Sequence, residues 1–106
     1  LNYLKLINQF WRWKKLYNFS HAETVLYFAI LDCANNMHWQ KPFHIPNTVL
    51  MKICDIDRKQ LARCRARLIE KGLIQYTNGN RWNAGYYDIC SVLPEYDISA
   101  GAQNGT

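Results

Sequence analysis

The stretch from Arg58 to Tyr76, RKQLARCRARLIEKGLIQY, constrains the fold of this chain more than any other. Leu61, Cys64, Leu68 and Ile69 recur at three and four residues, the spacing of one buried face of an α-helix. Lys59, Arg63, Ala66, Arg67 and Glu70 fall on the opposite side, with Arg58 and Gln60 on the flanks. The start is specified twice. Asp57 and Gln60 form a capping box, and Ile56 and Leu61 stand where a hydrophobic staple places its apolar pair. At the other end Gly72 suits a helix C′ position, and Lys71 before it favours the helix dipole. Leu73 to Thr77 then reads as a strand, Asn78-Gly79 as a turn, and Gly85 to Ser91 as the return strand of a hairpin with a long loop.

Upstream, LNYLKLINQFWRWKKLY reads as an amphipathic helix with Leu4, Ile7, Phe10 and Trp11 on its apolar face, Trp13 or Leu16 beside them, and Lys5, Arg12 and Lys15 opposite. Ser20 and Glu23 form a second capping box, which opens a helix with Val25, Leu26, Ala29, Ile30 and Cys33 inward, ended by Asn35-Asn36. Phe43-His44-Ile45 is a short strand candidate between two prolines. Asn47 offers a helix cap for Thr48 to Cys54, with Val49, Leu50 and Ile53 on one face. Asp55-Ile56-Asp57 is a tight turn. Residues 1–92 therefore read as one domain, mainly α with a small β-hairpin. After Pro94 the apolar pattern stops, and 93–106 is expected to be a flexible tail or linker to a C-terminal domain absent from this chain.

Charge is unevenly placed along the 106 residues, whose net value is +5. Residues 1–20 carry four bases and no acid, and 58–72 carry six bases against Glu70, while the intervening and following segments are mildly acidic. Two basic patches on an acidic remainder are the footprint of a phosphate-neutralising protein. The four cysteines lack CxxC pairing, and the histidines His21, His38 and His44 are scattered, so neither zinc nor any other cofactor is expected. Buried free thiols are the expectation. Phosphate-loop, GxSxG and HExxH patterns are all missing, so the chain is not read as an enzyme. With no apolar run of membrane-spanning length and no secretory leader, the expected compartment is cytoplasmic.

The element order is that of a winged helix-turn-helix, in which the helix over 57–71 lies in a DNA major groove. Lys59, Gln60 and Arg63, in its N-terminal half, are the candidate base contacts; Arg58 and Arg67 are assigned to phosphates. Arg65 falls near the buried stripe and is expected to pair with an acid or carbonyl inside the domain. Arg81 and Asn80 at the hairpin loop are candidates for the minor groove or a phosphate, with a solvated loop tip as the alternative for Arg81, and Thr48 with Asn47 for a phosphate through backbone donors, with helix capping as the alternative. Trp82 is expected to pack back on the domain, with stacking on nucleic acid as the alternative. Tyr3, Phe10, Trp11, Trp13 and Tyr17 exceed what one helical stripe holds, so the helix is read either as core or as a self-association surface, through Phe10, Trp11, Trp13 and Tyr17, supporting a homodimer or higher oligomer.

The segments FWRW, LYFAILDCANNMHW, VLMKICDI, LARCRARLIEKGLIQY and AGYYDI resemble the N-terminal winged-helix domain of DnaD-like and phage replisome-organiser proteins, over about residues 3–92. The resemblance implies an oligomerising DNA-binding module of a replication initiation protein, with replication proteins as further partners. A winged-helix transcription regulator, or an interaction module that has lost DNA binding, are the alternatives.

Overall fold

Both capping boxes close as hydrogen-bonded pairs in the computed structural model, which describes residues 3–40, 42–82 and 85–90. Helix α1 runs Tyr3–Tyr17, α2 His21–Asn36, α3 Asn47–Cys54 and α4 Arg58–Glu70; the strands are β1 Phe43–His44, β2 Ile74–Thr77 and β3 Tyr86–Ile89. Ser20 Oγ accepts from the Glu23 N–H at 3.1 Å, and Glu23 Oε1 accepts from the Ser20 N–H at 2.9 Å. Asp57 and Gln60 repeat the exchange at 2.8 and 3.0 Å. Between α3 and α4 the chain turns through Asp55 in the left-handed region (φ 54°), which a short polar side chain tolerates.

The end of α4 is a Schellman closure. Gly72 takes φ 80°, its N–H donates to the Ile69 carbonyl at 2.9 Å, and the Leu73 N–H donates to the Leu68 carbonyl at 3.0 Å. Leu68 and Leu73 are both fully buried, so the chain enters β2 with its direction set by an apolar contact as well as by hydrogen bonds. β3 then lies centrally in an antiparallel sheet of order β1-β3-β2, pairing Ile74 with Ile89, Tyr76 with Tyr87 and Phe43 with Tyr87. The expected hairpin is thus widened to three strands by β1. Ile74, Tyr87, Ile89 and Phe43 face the helices, as strand alternation requires.

The centre of the domain is α2, which packs on α1, α3, α4 and β3. A helix surrounded in this way buries more than one stripe. Leu26, Tyr27, Ala29, Ile30, Leu31 and Ala34 are all buried, whereas Val25 is exposed and Cys33 half-buried, which shifts the inward face from the expected one. The same correction applies to three neighbours. In α1 the buried residues are Leu6, Phe10 and Trp13, while Leu4 is 69% and Trp11 46% exposed. In α3 only Leu50 is buried, and Val49 and Ile53 face solvent; in α4, Ile69 is exposed. Phe10 stacks on Tyr27 at 4.6 Å and on Phe19 at 5.5 Å, forming the aromatic seam between α1 and α2.

Phe10 and Trp13 therefore belong to the core of the single chain and are withdrawn from the self-association surface. The expected tail at 93–106, the end of the return strand at Ser91, and Asn83 and Ala84 of the loop lie outside the described residues. No helix among the described residues is long and apolar enough to cross a membrane.

Candidate functional site

Basic residues concentrate on α4, but its two ends use them differently. Arg58, Lys59 and Arg63 are exposed and make no hydrogen bond among the described residues. Arg58 and Lys59 occupy the first turn, which contains no acid. There the helix dipole is positive, so each cation costs about 0.3–1 kcal/mol at low salt, offset in part by the Asp57 cap. Nothing in the fold explains this placement. Gln60, beside them, has its Oε1 committed to the cap and presents only its amide nitrogen outward.

Further along α4 the cations are tied down. Arg67, read as a phosphate contact, instead donates from Nη2 to the Tyr17 carbonyl at 2.7 Å and lies 5.5 Å from the Phe19 ring. Its buried Nε has no partner. Lys71 sits 4.8 Å over the Tyr17 ring, and Lys14 donates to the Phe19 carbonyl at 2.7 Å. Three cations thus clasp the α1–α2 corner, where Asn18 takes φ 59°. Tyr17, stacked on Trp13 at 5.0 Å, is the platform of that clasp. Of the aromatic residues proposed for self-association, only Trp11 presents a free face.

Arg65 turns inward as expected and meets a carbonyl, that of the Asn47 side chain, together with the Tyr87 hydroxyl and no acid. Nη1 donates to Asn47 Oδ1 at 3.1 Å and to the Tyr87 hydroxyl at 2.7 Å, and the guanidinium lies 4.1 Å over the Tyr76 ring. Burial pushes the Tyr87 phenol up, and Arg65 beside it only partly reverses the shift, so the phenol is neutral at physiological pH. Asn47 consequently does not cap α3. Pro46 occupies that position with no side-chain hydrogen bond, and Asn47 is spent on Arg65.

Arg65 lines an open cleft of 610 Å³ between the start of α3 and the β2–β3 hairpin, together with Asn47, Thr48, Tyr76, Arg81 and Trp82. Thr48 stands in the first turn of α3, whose leading N–H groups the helix leaves without partners. Arg81 is exposed, 5.4 Å over the Trp82 ring. Asn80 Oδ1 accepts from the Trp82 N–H at 2.8 Å, an Asx turn that shapes the loop. Trp82 does not pack back on the domain: it is 81% exposed. Gly85 closes the cleft near its floor, and a Cβ there would overlap the Tyr76 ring.

Sequence reasoning missed this cleft, although one signal for it was present. Tyr76 and Tyr87 alternate onto the same sheet face as Ile74 and Ile89, which brings two phenol rings to the position Arg65 reaches. None of the four cysteines forms a disulfide; Cys64 is buried and the others are half-buried. Burial pushes the thiols of Cys33, Cys54 and Cys64 up, which makes them poor nucleophiles near neutral pH. No group of three metal-ligating side chains occurs among the described residues. No family model, curated protein or solved structure matches the chain.

Proposed function

We propose that this chain is a winged helix-turn-helix module that binds duplex DNA through the start of α4 and the adjoining hairpin. The observation that carries the reading is the unbonded cation cluster Arg58, Lys59 and Arg63, placed where the α4 dipole opposes it. A helix whose far side is held by Leu61, Cys64 and Leu68 can present such donors to phosphates and base edges without moving the core. Two further features support it: the succession α2-β1-α3-α4-β2-β3, and the packing of α4 on β2, which brings the hairpin beside that helix. Assignment to replication initiation rests on the DnaD-like resemblance.

Anisotropy titration of a labelled duplex tests the reading. Affinity is expected to fall steeply with salt, Arg63→Ala to weaken binding, and Arg58→Ala to reduce the salt slope by about 0.9. Parent and variant binding alike, or a flat salt dependence, would refute it.

A second reading has its own observation. Leu4, Trp11 and Leu16 leave apolar surface on α1 in solvent, which suits a protein partner or a second copy of the chain. Sedimentation showing a concentration-dependent mass in the parent, reduced by Trp11→Glu, supports it; a monomer throughout rejects it.

A further inference from the structure

Arg65 is a half-buried guanidinium whose two hydrogen-bond partners, Asn47 and Tyr87, are both neutral. Among the described residues that line its cleft none is a carboxylate, and a second arginine, Arg81, is one of them. A cation withdrawn from bulk water without a counter-charge favours an anion. The guanidinium is already oriented by Asn47, Tyr87 and the Tyr76 ring, so little side-chain entropy remains to be lost on binding. Its Nε and Nη2 groups make no hydrogen bond among the described residues, leaving a fork of donors of the kind that meets phosphate oxygens.

The anion is not expected to come alone. The same cleft carries the Trp82 indole, 81% exposed on a loop shaped by the Asn80 turn. An indole left in water at a site that attracts anions fits a ligand with both phosphate and a flat apolar face. The cleft volume of 610 Å³ lies within the roughly 300–1,000 Å³ usual for small-molecule sites. Bases inside a duplex have both faces covered by their neighbours, so the indole can stack only on a base outside one.

We propose that the cleft between α3 and the hairpin holds one unpaired nucleotide, its phosphate on Arg65 and Arg81 and its base against Trp82. The site rests on the hairpin that the duplex reading also uses but is distinct from the α4 cations, because Arg58, Lys59 and Arg63 do not line it. The nucleotide is supplied either as a free mononucleotide or as an unpaired position in a nucleic-acid strand.

The test uses this chain with 2′-deoxyadenosine 5′-monophosphate by calorimetry, deoxyadenosine as control, and a labelled single strand by anisotropy. Trp82→Ala removes an exposed loop side chain and leaves the core untouched; Arg65→Lys keeps a charge but removes the fork. The monophosphate or the single strand is expected to bind, and to lose about tenfold in affinity in either variant. Binding of the monophosphate assigns the free source, and binding of the strand alone assigns the unpaired position. Arg63→Ala leaves monophosphate binding, or strand loss on Trp82→Ala, in place, which separates this site from the duplex reading. Failure of both probes to bind, affinity indifferent to Trp82→Ala, or deoxyadenosine binding as tightly as its monophosphate would overturn the proposal.

Discussion

The two ends of α4 carry the same residue types under opposite physics. At its start Arg58 and Lys59 oppose the dipole and bond to no other described residue; at its end Arg67 and Lys71 complement the dipole and hold the α1–α2 corner. Arg65 lies between them, bonded on one side and open to a cleft on the other. The contrast teaches that net charge on a helix does not measure its capacity to bind an anion. Each cation has first to be asked what it already touches.

Substitutions along α4 can break this comparison. The largest loss of stability is expected for Arg65→Ala, which strips the Tyr87 hydroxyl and Asn47 of a partner and removes the guanidinium packed on Tyr76. About 2–3 kcal/mol should appear as a lower midpoint in urea unfolding, since hydrogen bonds to charged groups are the more valuable ones. A midpoint equal to the parent's would mean that Arg65 does not brace the sheet against α3.

Arg67→Ala should cost less, about 1–2 kcal/mol, because one hydrogen bond to the Tyr17 carbonyl is lost while Lys14 and Lys71 still hold the corner. Amide hydrogen exchange should speed up most at the end of α1 and the start of α2. Uniform acceleration across the domain would count against a local clasp.

The smallest effect, and one of opposite sign, is expected for Arg58→Ala. Relieving the first turn of a cation should stabilise the fold by about 0.3–1 kcal/mol at low salt, fading as salt is raised. A thermal midpoint that drops instead would show that Arg58 contributes to the fold, and would weaken the argument that its placement serves a ligand.

Much of the domain was legible because it is local. The two capping boxes, the Asp55 turn and the Gly72 exit each depend on residues within a few positions of one another, so propensity and hydrogen-bonding chemistry suffice to place them; the turn expected at Asn78-Gly79 does not form, Gly79 lacks a positive φ, and the chain bends at Arg81-Trp82 instead. The buried faces of α1 and α3 were less legible. Leu4 and Trp11 share a helical spacing as good as that of Leu6, Phe10 and Trp13, and only the ring positions of Tyr27 and Phe19 decide between the two stripes. In α2 a central position buries several faces at once, which a search for one stripe misreads.

For the candidate sites the same division holds. That Lys59 and Arg63 face away from the Leu61–Leu68 stripe, with Arg58 on its flank, follows from 3.6 residues per turn and was readable directly. That Arg67 is consumed by the Tyr17 carbonyl, 50 residues away, was not.

The sequence by itself determined where the elements start and stop and which way α4 turns its basic side, because caps, helical period and turn chemistry act over short range. The tertiary structure alone decided which aromatics are core, which cations are already bonded, and that Arg65 and Trp82 share one cleft. Those outcomes depend on contacts between residues distant in the chain, and no local propensity encodes which of several equally apolar or equally basic side chains will find a partner.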